Sequence, residues 1–457
     1  MASLLGALLL VSSAVAVETP PPGGEPRPFE LPDHETLKLD NGLDVTLIPF
    51  GRVPKVSVVI AVAAGNLHEG EQTWLADITG DLMQEGAGGK SAAAVAETFA
   101  DMGGALGIGV GMERTSISAS GLAEFAPAMV RELAAVVMSP NLPDDQLARI
   151  RADRLRQLSV SRTQPRTQAS AAFNALLYGD HAYGRVLPTD EQLNSITMDD
   201  VREFYGSNFG ALRTRVYIAG LFDRDAVVDA LQSTLGTWKP GLPPSRDIPA
   251  MASGPVVKLI DRPDAPQSTV YLGLASPDPS QDDFLAFSVM NTLLGGNLSS
   301  RLSVNLRENK GYTYSARSNV STNYRASFWR FNSDVTSENT GDAIREALFE
   351  VRRLQDEPPS DAELTGTKNY LAGNFVMGNA TRGGLIGQLA YLDYHELPLE
   401  RLTQFVQSVH EVDPDTISEL ARRYLRPEKM VLVVVGDIDL VREQLKEISE
   451  FQEFVAD

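Results

Sequence analysis

Arg307 and Tyr314 stand seven residues apart in the run Leu-Arg-Glu-Asn-Lys-Gly-Tyr-Thr-Tyr over 306–314. A guanidinium presents a planar fork of N–H donors that suits a peptide carbonyl. A phenol can donate one hydrogen bond to a developing oxyanion. Leu302 and Leu306 mark one face of a helix, and Lys310-Gly311 is a C-terminal stop for it. Arg307 then falls in the last helical turn and Tyr314 on the following strand, with Gly311 letting the chain turn back so that both face one spot. On spacing alone, the better reading is a helix-end cation set against the helix dipole and a half-buried strand aromatic.

Other catalytic chemistry is scarce. The five histidines are His34, His68, His181, His395 and His410. No two are spaced i, i+4, the arrangement that puts two imidazoles on one helix face for zinc. Cysteine is absent, which removes disulfides, thiolate nucleophiles and Cys-based metal sites. There is neither a Gly-x-Ser-x-Gly elbow nor a phosphate-binding Gly-x-x-x-x-Gly-Lys-Ser/Thr loop. A formal net charge of −20 argues against nucleic acid as partner, because phosphate neutralisation needs clustered Lys and Arg.

The elements that would position these residues come in two copies. The stretch 196–223 aligns without gaps with 412–439 at a constant offset of 216, pairing Val201 with Ile417, Phe204 with Leu420, Gly220 with Gly436 and Asp223 with Asp439. Each copy reads as a helix, a short loop and a strand ending at glycine. Upstream, Pro-Asp-Asp-Gln-Leu (143–147) and Pro-Ser-Asp-Ala-Glu-Leu (359–364) each open a helix, the second with Ser360 and Glu363 in capping-box spacing. A proline-rich run, 237–255, reads as a linker.

The expected organisation is a signal peptide over 1–16, a flexible lead-in over 17–33, a first domain over 34–236, the linker, and a second domain over 256–457. The apolar run 3–16 ends in Ala14-Val15-Ala16, which suits export to a bacterial periplasm, and it is too short to span a bilayer. No cysteine follows it, so no lipid anchor is expected. Strands are expected at Leu37–Ile48 (folded over Asn41-Gly42), Val56–Ala64, Thr115–Ser120, Thr214–Ala219, Thr269–Leu274, Ala326–Asn332 and Met430–Val435. Helices are expected at Trp74–Met83, Ala93–Met102, Pro143–Val160 and Asp361–Val376. The fold class is α+β: two homologous domains, each an antiparallel-rich sheet packed with helices.

With these pieces assembled, the chain resembles the insulinase/pitrilysin-type peptidases, or inverzincins, in their bacterial and mitochondrial-processing-peptidase branch. The run 293–321 is similar to that family's Gly-Gly, Ser-Ser-Arg-Leu and Arg-Glu-x-x-Gly-x-x-Tyr segment. The resemblance implies that Arg307 and Tyr314 hold the substrate backbone at a zinc site in another domain, with Gly295 and Gly296 in a substrate-admitting loop or in a plain helix-entry turn. The family's first domain carries His-x-x-Glu-His on a helix, and here 61–89 aligns with that region. Asp77 and Asp81 stand at the two histidine positions, Gly80 at that of the general-base glutamate, and Gln157 at that of the distal ligand. Two carboxylates at i, i+4 share a helix face, but calcium takes six to eight oxygen ligands and nothing nearby supplies them. Asp77 and Asp81 are therefore expected to be solvated surface acids.

The resemblance thus implies a chain that binds no metal and is inactive alone. It would serve as the non-metal subunit of a heterodimeric zinc metallopeptidase and lend Arg307 and Tyr314 in trans to a homologous partner that holds the zinc. The alternative is a peptide-binding or assembly subunit with no role in catalysis.

Overall fold

The computed structural model describes residues 27–454. The signal-like run 1–16 and most of the lead-in lie outside the described residues. Two mixed sheets organise the chain. The first has the spatial order Glu35–Lys38, Asp44–Pro49, Thr214–Gly220, Lys55–Val62, Thr115–Leu122, Leu106–Val110. The second runs Thr313–Val320, Phe328–Thr336, Gln267–Ala275, Val431–Gly436, Val256–Asp261. Each contains a single parallel pair, Asp44–Pro49 with Thr214–Gly220 in one and Val256–Asp261 with Val431–Gly436 in the other. All other pairings are antiparallel.

The duplication survives at the level of single hydrogen bonds. Helix Met198–Asn208 and helix Pro414–Tyr424 start and end 216 residues apart. Their N-caps, Thr197 and Asp413, accept from the backbone N–H groups of Asp200 and Thr416 respectively. The short 3-10 turns that follow, Ala211–Arg213 and Pro427–Lys429, keep the same offset. A side-chain oxygen at the N-cap satisfies one of the four backbone donors a helix start leaves free, so both copies begin for the same reason.

Each half also covers the other's sheet. Helix Pro165–Tyr178 of the first half lies on strands Gln267–Ala275 and Val431–Gly436 of the second. Phe173 is fully buried there, edge-on to Phe328 at 5.3 Å and to Tyr271 at 6.4 Å. In return, helix Arg382–His395 lies on strands Lys55–Val62 and Thr214–Gly220. Leu385 and Leu389 cluster with Ile48 and Tyr217, whose hydroxyl donates to Asp393 at 2.6 Å. Burying such side chains contributes roughly 1.5–3 kcal/mol each, so the exchange of helices fixes the two halves to one another.

Several element boundaries differ from the sequence reading. The strand placed at Ala326–Asn332 runs instead from Phe328 to Thr336, because Arg325 takes a left-handed φ of 54° and keeps the turn going until Ala326. The helix placed at Pro143–Val160 opens as a 3-10 turn, Asp144–Gln146, becomes α-helical at Leu147 and runs on to Thr163. Pro165 then starts the next helix, and Gln164 before it is extended, as the proline ring requires. The Ser360 cap forms, but Glu363 does not reach back to complete a box. Its carboxylate instead takes the guanidinium of Arg301 at 2.7 and 3.0 Å.

Candidate functional site

The segment carrying Arg307 begins as α-helix at Arg301–Ser303 and widens into a π-helical turn over Val304–Asn309. Leu302 and Leu306 are fully buried and anchor it. Gly311, at φ 67°, reverses the chain, and Tyr312 N–H closes the turn by donating to the Leu306 carbonyl at 2.9 Å. Strand Thr313–Val320 follows at the edge of the second sheet. Its pairing with Phe328–Thr336 shifts register between Thr313 and Ala316, a local irregularity that frees Tyr314.

The two predicted residues are brought together. The Arg307 guanidinium carbon lies 4.9 Å from the centre of the Tyr314 ring. Tyr314 is 85% exposed, which rules out the half-buried strand aromatic, and its hydroxyl has no hydrogen-bond partner among the described residues. Arg307 also meets Glu308 at 3.3 Å on the surface, a contact worth little in water. The pair therefore presents a guanidinium and a free phenol side by side on an unpaired sheet edge.

Gly295 and Gly296 end a π-helical turn, Thr292–Gly296, beside the same strand. A Cβ at 295 would sit 2.6 Å from the Ser318 backbone nitrogen and 2.3 Å from its Oγ, so a glycine is required for the helix to approach the strand. A polar cavity of about 730 Å³ lies nearby, lined by Arg301, Asn305, Glu346 and Glu350 but by neither Arg307 nor Tyr314. Its charges are already matched, Arg301 with Glu363, Lys310 with Glu346 and Arg353 with Glu350.

At the positions aligned with a zinc site, the structure corrects the expectation of solvated acids. Asp77 and Asp81 project from helix Leu75–Met83 toward helix Leu147–Thr163, where Arg154 meets both. Arg154 Nε and Nη2 donate to the two oxygens of Asp81 at 2.7 and 2.9 Å, a bidentate fork. Arg154 Nη1 lies 3.3 Å from Asp77 and donates to Gln157 Oε1 at 3.1 Å. The three side chains are largely sheltered, at 15, 20 and 31% exposure for Arg154, Asp77 and Asp81. Asp77 also accepts from Asn66 at 2.7 Å. Burial raises its pKa, against the pull of Asn66 and Arg154.

Gly80, which the resemblance aligns with the general-base glutamate, is buried, and a Cβ there would come 2.5 Å from Val110 Cγ2. Helix and edge strand are thus packed too closely for a glutamate at that point. Two carboxylates bound to a guanidinium, one carboxamide and no imidazole do not fit a zinc ion. Arg154 went unread in the sequence. Its one signal was its place three residues before Gln157, on the same helix face.

Beside this cluster, Glu69 is buried and holds the start of helix Leu75–Met83. It accepts from Trp74 N–H at 3.0 Å and Ala76 N–H at 3.1 Å, and from Asn66 at 3.1 Å. Burial pushes its carboxyl up to about 7 despite these donors.

Residues 195–371 match the family model described as the Peptidase M16 inactive domain. The chain is 25% identical over 393 residues to an uncharacterized zinc protease of Mycobacterium leprae, covering 85% of this chain and 88% of that one. It is 20% identical to a non-peptidase homolog of Helicobacter pylori, over 82% of this chain and 87% of the other. In fold it is similar to the crystal structure of a peptidase M16 inactive domain from Pseudomonas fluorescens, with a TM-score of 0.82 and 24% identity across 89% of this chain and 98% of that one.

Proposed function

We propose, for a chain that belongs to the insulinase-type M16 peptidase family, a role as the subunit without metal in a two-chain zinc peptidase. The observation that carries this reading is the Arg307–Tyr314 pair. It sits on a free sheet edge, phenol exposed, in a chain where Asp77 and Asp81, the residues the resemblance aligns with the zinc-binding histidines, are paired with Arg154. A guanidinium fork and an unbonded phenol are the groups a stretched peptide and its oxyanion require. An extended substrate would lie along a sheet edge of the partner, held by main-chain hydrogen bonds. Arg307 and Tyr314 would reach it from the side opposite the partner's zinc. The partner is a homologous chain with an intact His-x-x-Glu-His helix, and both are exported, as the signal-like run 1–16 suggests. Among the described residues, no helix is long and apolar enough to cross a membrane.

The test is reconstitution. The purified chain alone should cleave no peptide, and mixing it with the His-x-x-Glu-His homologue should produce cleavage that neither chain shows separately. Zinc-dependent hydrolysis by this chain alone would end the proposal. A second reading, a binding or assembly subunit without a catalytic part, is favoured by the likeness to a non-peptidase homolog. It predicts that adding this chain leaves the partner's turnover unchanged.

A further inference from the structure

We propose that Arg213 and the cavity beside it form a binding site for a single carboxylate. Arg213 ends the 3-10 turn Ala211–Arg213 and is only 6% exposed. Its Nη1 donates to Asn208 Oδ1. Its Nε is buried with no hydrogen-bond partner, and Nη2 makes no hydrogen bond among the described residues. No carboxylate among those residues pairs with it, and burial alone pulls its pKa down. A buried charge ordinarily has a partner, yet this cation is unmatched in a chain of net charge −20. The turn itself does not demand the burial. Its counterpart in the second half, Pro427–Lys429, leaves Lys429 half-buried.

The ligand class follows from the donors. The cavity measures about 460 Å³, and the proline-rich run contributes Ser245 and Asp247 to its wall. Nε and Nη2 are the parallel donors of one guanidinium edge, the fork that takes both oxygens of a carboxylate. The two histidines in the wall add no charge. His68 accepts from Gly65 N–H on Nδ1 at 3.2 Å, and its Nε2 faces the Ser245 carbonyl at 3.3 Å. Burial, reinforced by Arg213, holds its pKa down to about 4. His181 accepts from Tyr183 N–H on Nδ1 at 3.2 Å, which leaves its proton on Nε2 as a neutral donor; burial lowers its pKa as well. Arg185, also in the wall, is held by the carbonyls of Asp180 and Gly70 at 2.8 and 2.7 Å and lies 3.7 Å from Glu71. The acids lining the cavity, Asp180 and Asp247, are exposed to water, and the second lies 3.9 Å from His181. A single unmatched cation with one open fork suits a monovalent carboxylate better than a phosphate dianion.

The experiment uses the purified chain alone and does not depend on the partner. Calorimetric titration at fixed ionic strength, with chloride as the balancing anion, compares N-acetyl-alanyl-alanine, its C-terminal amide, acetate and inorganic phosphate. The peptide acid should bind at least about tenfold more tightly than the amide. Acetate binding as tightly as the peptide acid would point to a small free acid, and a tighter peptide acid to a chain end; both support the site. Histidine-selective NMR should show the His68 and His181 signals shifting with the acid and not with the amide, while His34 and His410 stay. Arg213→Met should abolish binding, and Arg213→Lys, which keeps the charge without the fork, should weaken it at least about tenfold. Equal affinity for acid and amide would overturn the proposal. So would phosphate binding more tightly than either carboxylate, or unchanged binding by Arg213→Met. If neither variant folds, the wild-type spectra decide: binding of the acid without shifts at His68 and His181 would place the carboxylate elsewhere and sink the assignment.

Discussion

Replacing Tyr314 by phenylalanine isolates one oxygen. The ring stays, so the stacking with Arg307 at 4.9 Å persists, because a phenyl face also attracts a guanidinium. Tyr314 is 85% exposed on an edge strand and its hydroxyl bonds to nothing within the described residues, so stability should change by less than about 0.5 kcal/mol. If the hydroxyl stabilises an oxyanion in the assembled enzyme, turnover should fall about 10²–10³-fold, or about 2.7–4 kcal/mol of transition-state stabilisation. The two effects differ enough to be separated. The assay is peptide cleavage by the reconstituted pair, with urea unfolding of the isolated variant as the control. Arg307→Lys keeps the charge but loses the planar fork, and should raise KM more than it lowers kcat. Turnover within about twofold of wild type for Tyr314→Phe, with normal assembly, would refute the oxyanion role.

Two further outcomes follow from the packing and the electrostatics. Phe173→Ala should cost about 3–5 kcal/mol, because the ring is fully buried between the halves against Tyr271 and Phe328. Calorimetry should show the melting transition lowered or split in two, and an unchanged transition would mean the exchanged helix does not couple the halves. Glu69 supplies a pH effect: its carboxyl is raised from 4.5 to about 7 by burial, so the folded state holds the proton more tightly than the unfolded one. Its stabilising share is full below pH 4.5 and is lost as pH rises through about 7, a change on the order of 3 kcal/mol. Glu69→Gln should remove that slope, so urea unfolding at acid and mildly alkaline pH should show wild type losing stability relative to the variant. Parallel stability curves for the two would contradict the assignment.

The sequence by itself determined the duplication, since a constant offset of 216 is a linear pattern and needs no coordinates to be seen. The same is true of the adjacency of Arg307 and Tyr314. A helix stop at Gly311 followed by a strand is local chemistry, and the reversal there lets both side chains face one spot. The absence of paired histidines was equally plain. What needed the tertiary structure was the surroundings of Asp77 and Asp81. Asp77 and Asp81 read as surface acids because their counterion, Arg154, lies more than seventy residues away on a different helix, and a lone arginine among the five of 149–162 gives no local sign of where it points. The exchange of helices Pro165–Tyr178 and Arg382–His395 between the sheets was likewise hidden, because it depends on which apolar face meets which sheet. Local sequence sets turns, caps and periods. Long-range pairing of charge with charge, and of helix with sheet, is settled only when the chain closes on itself.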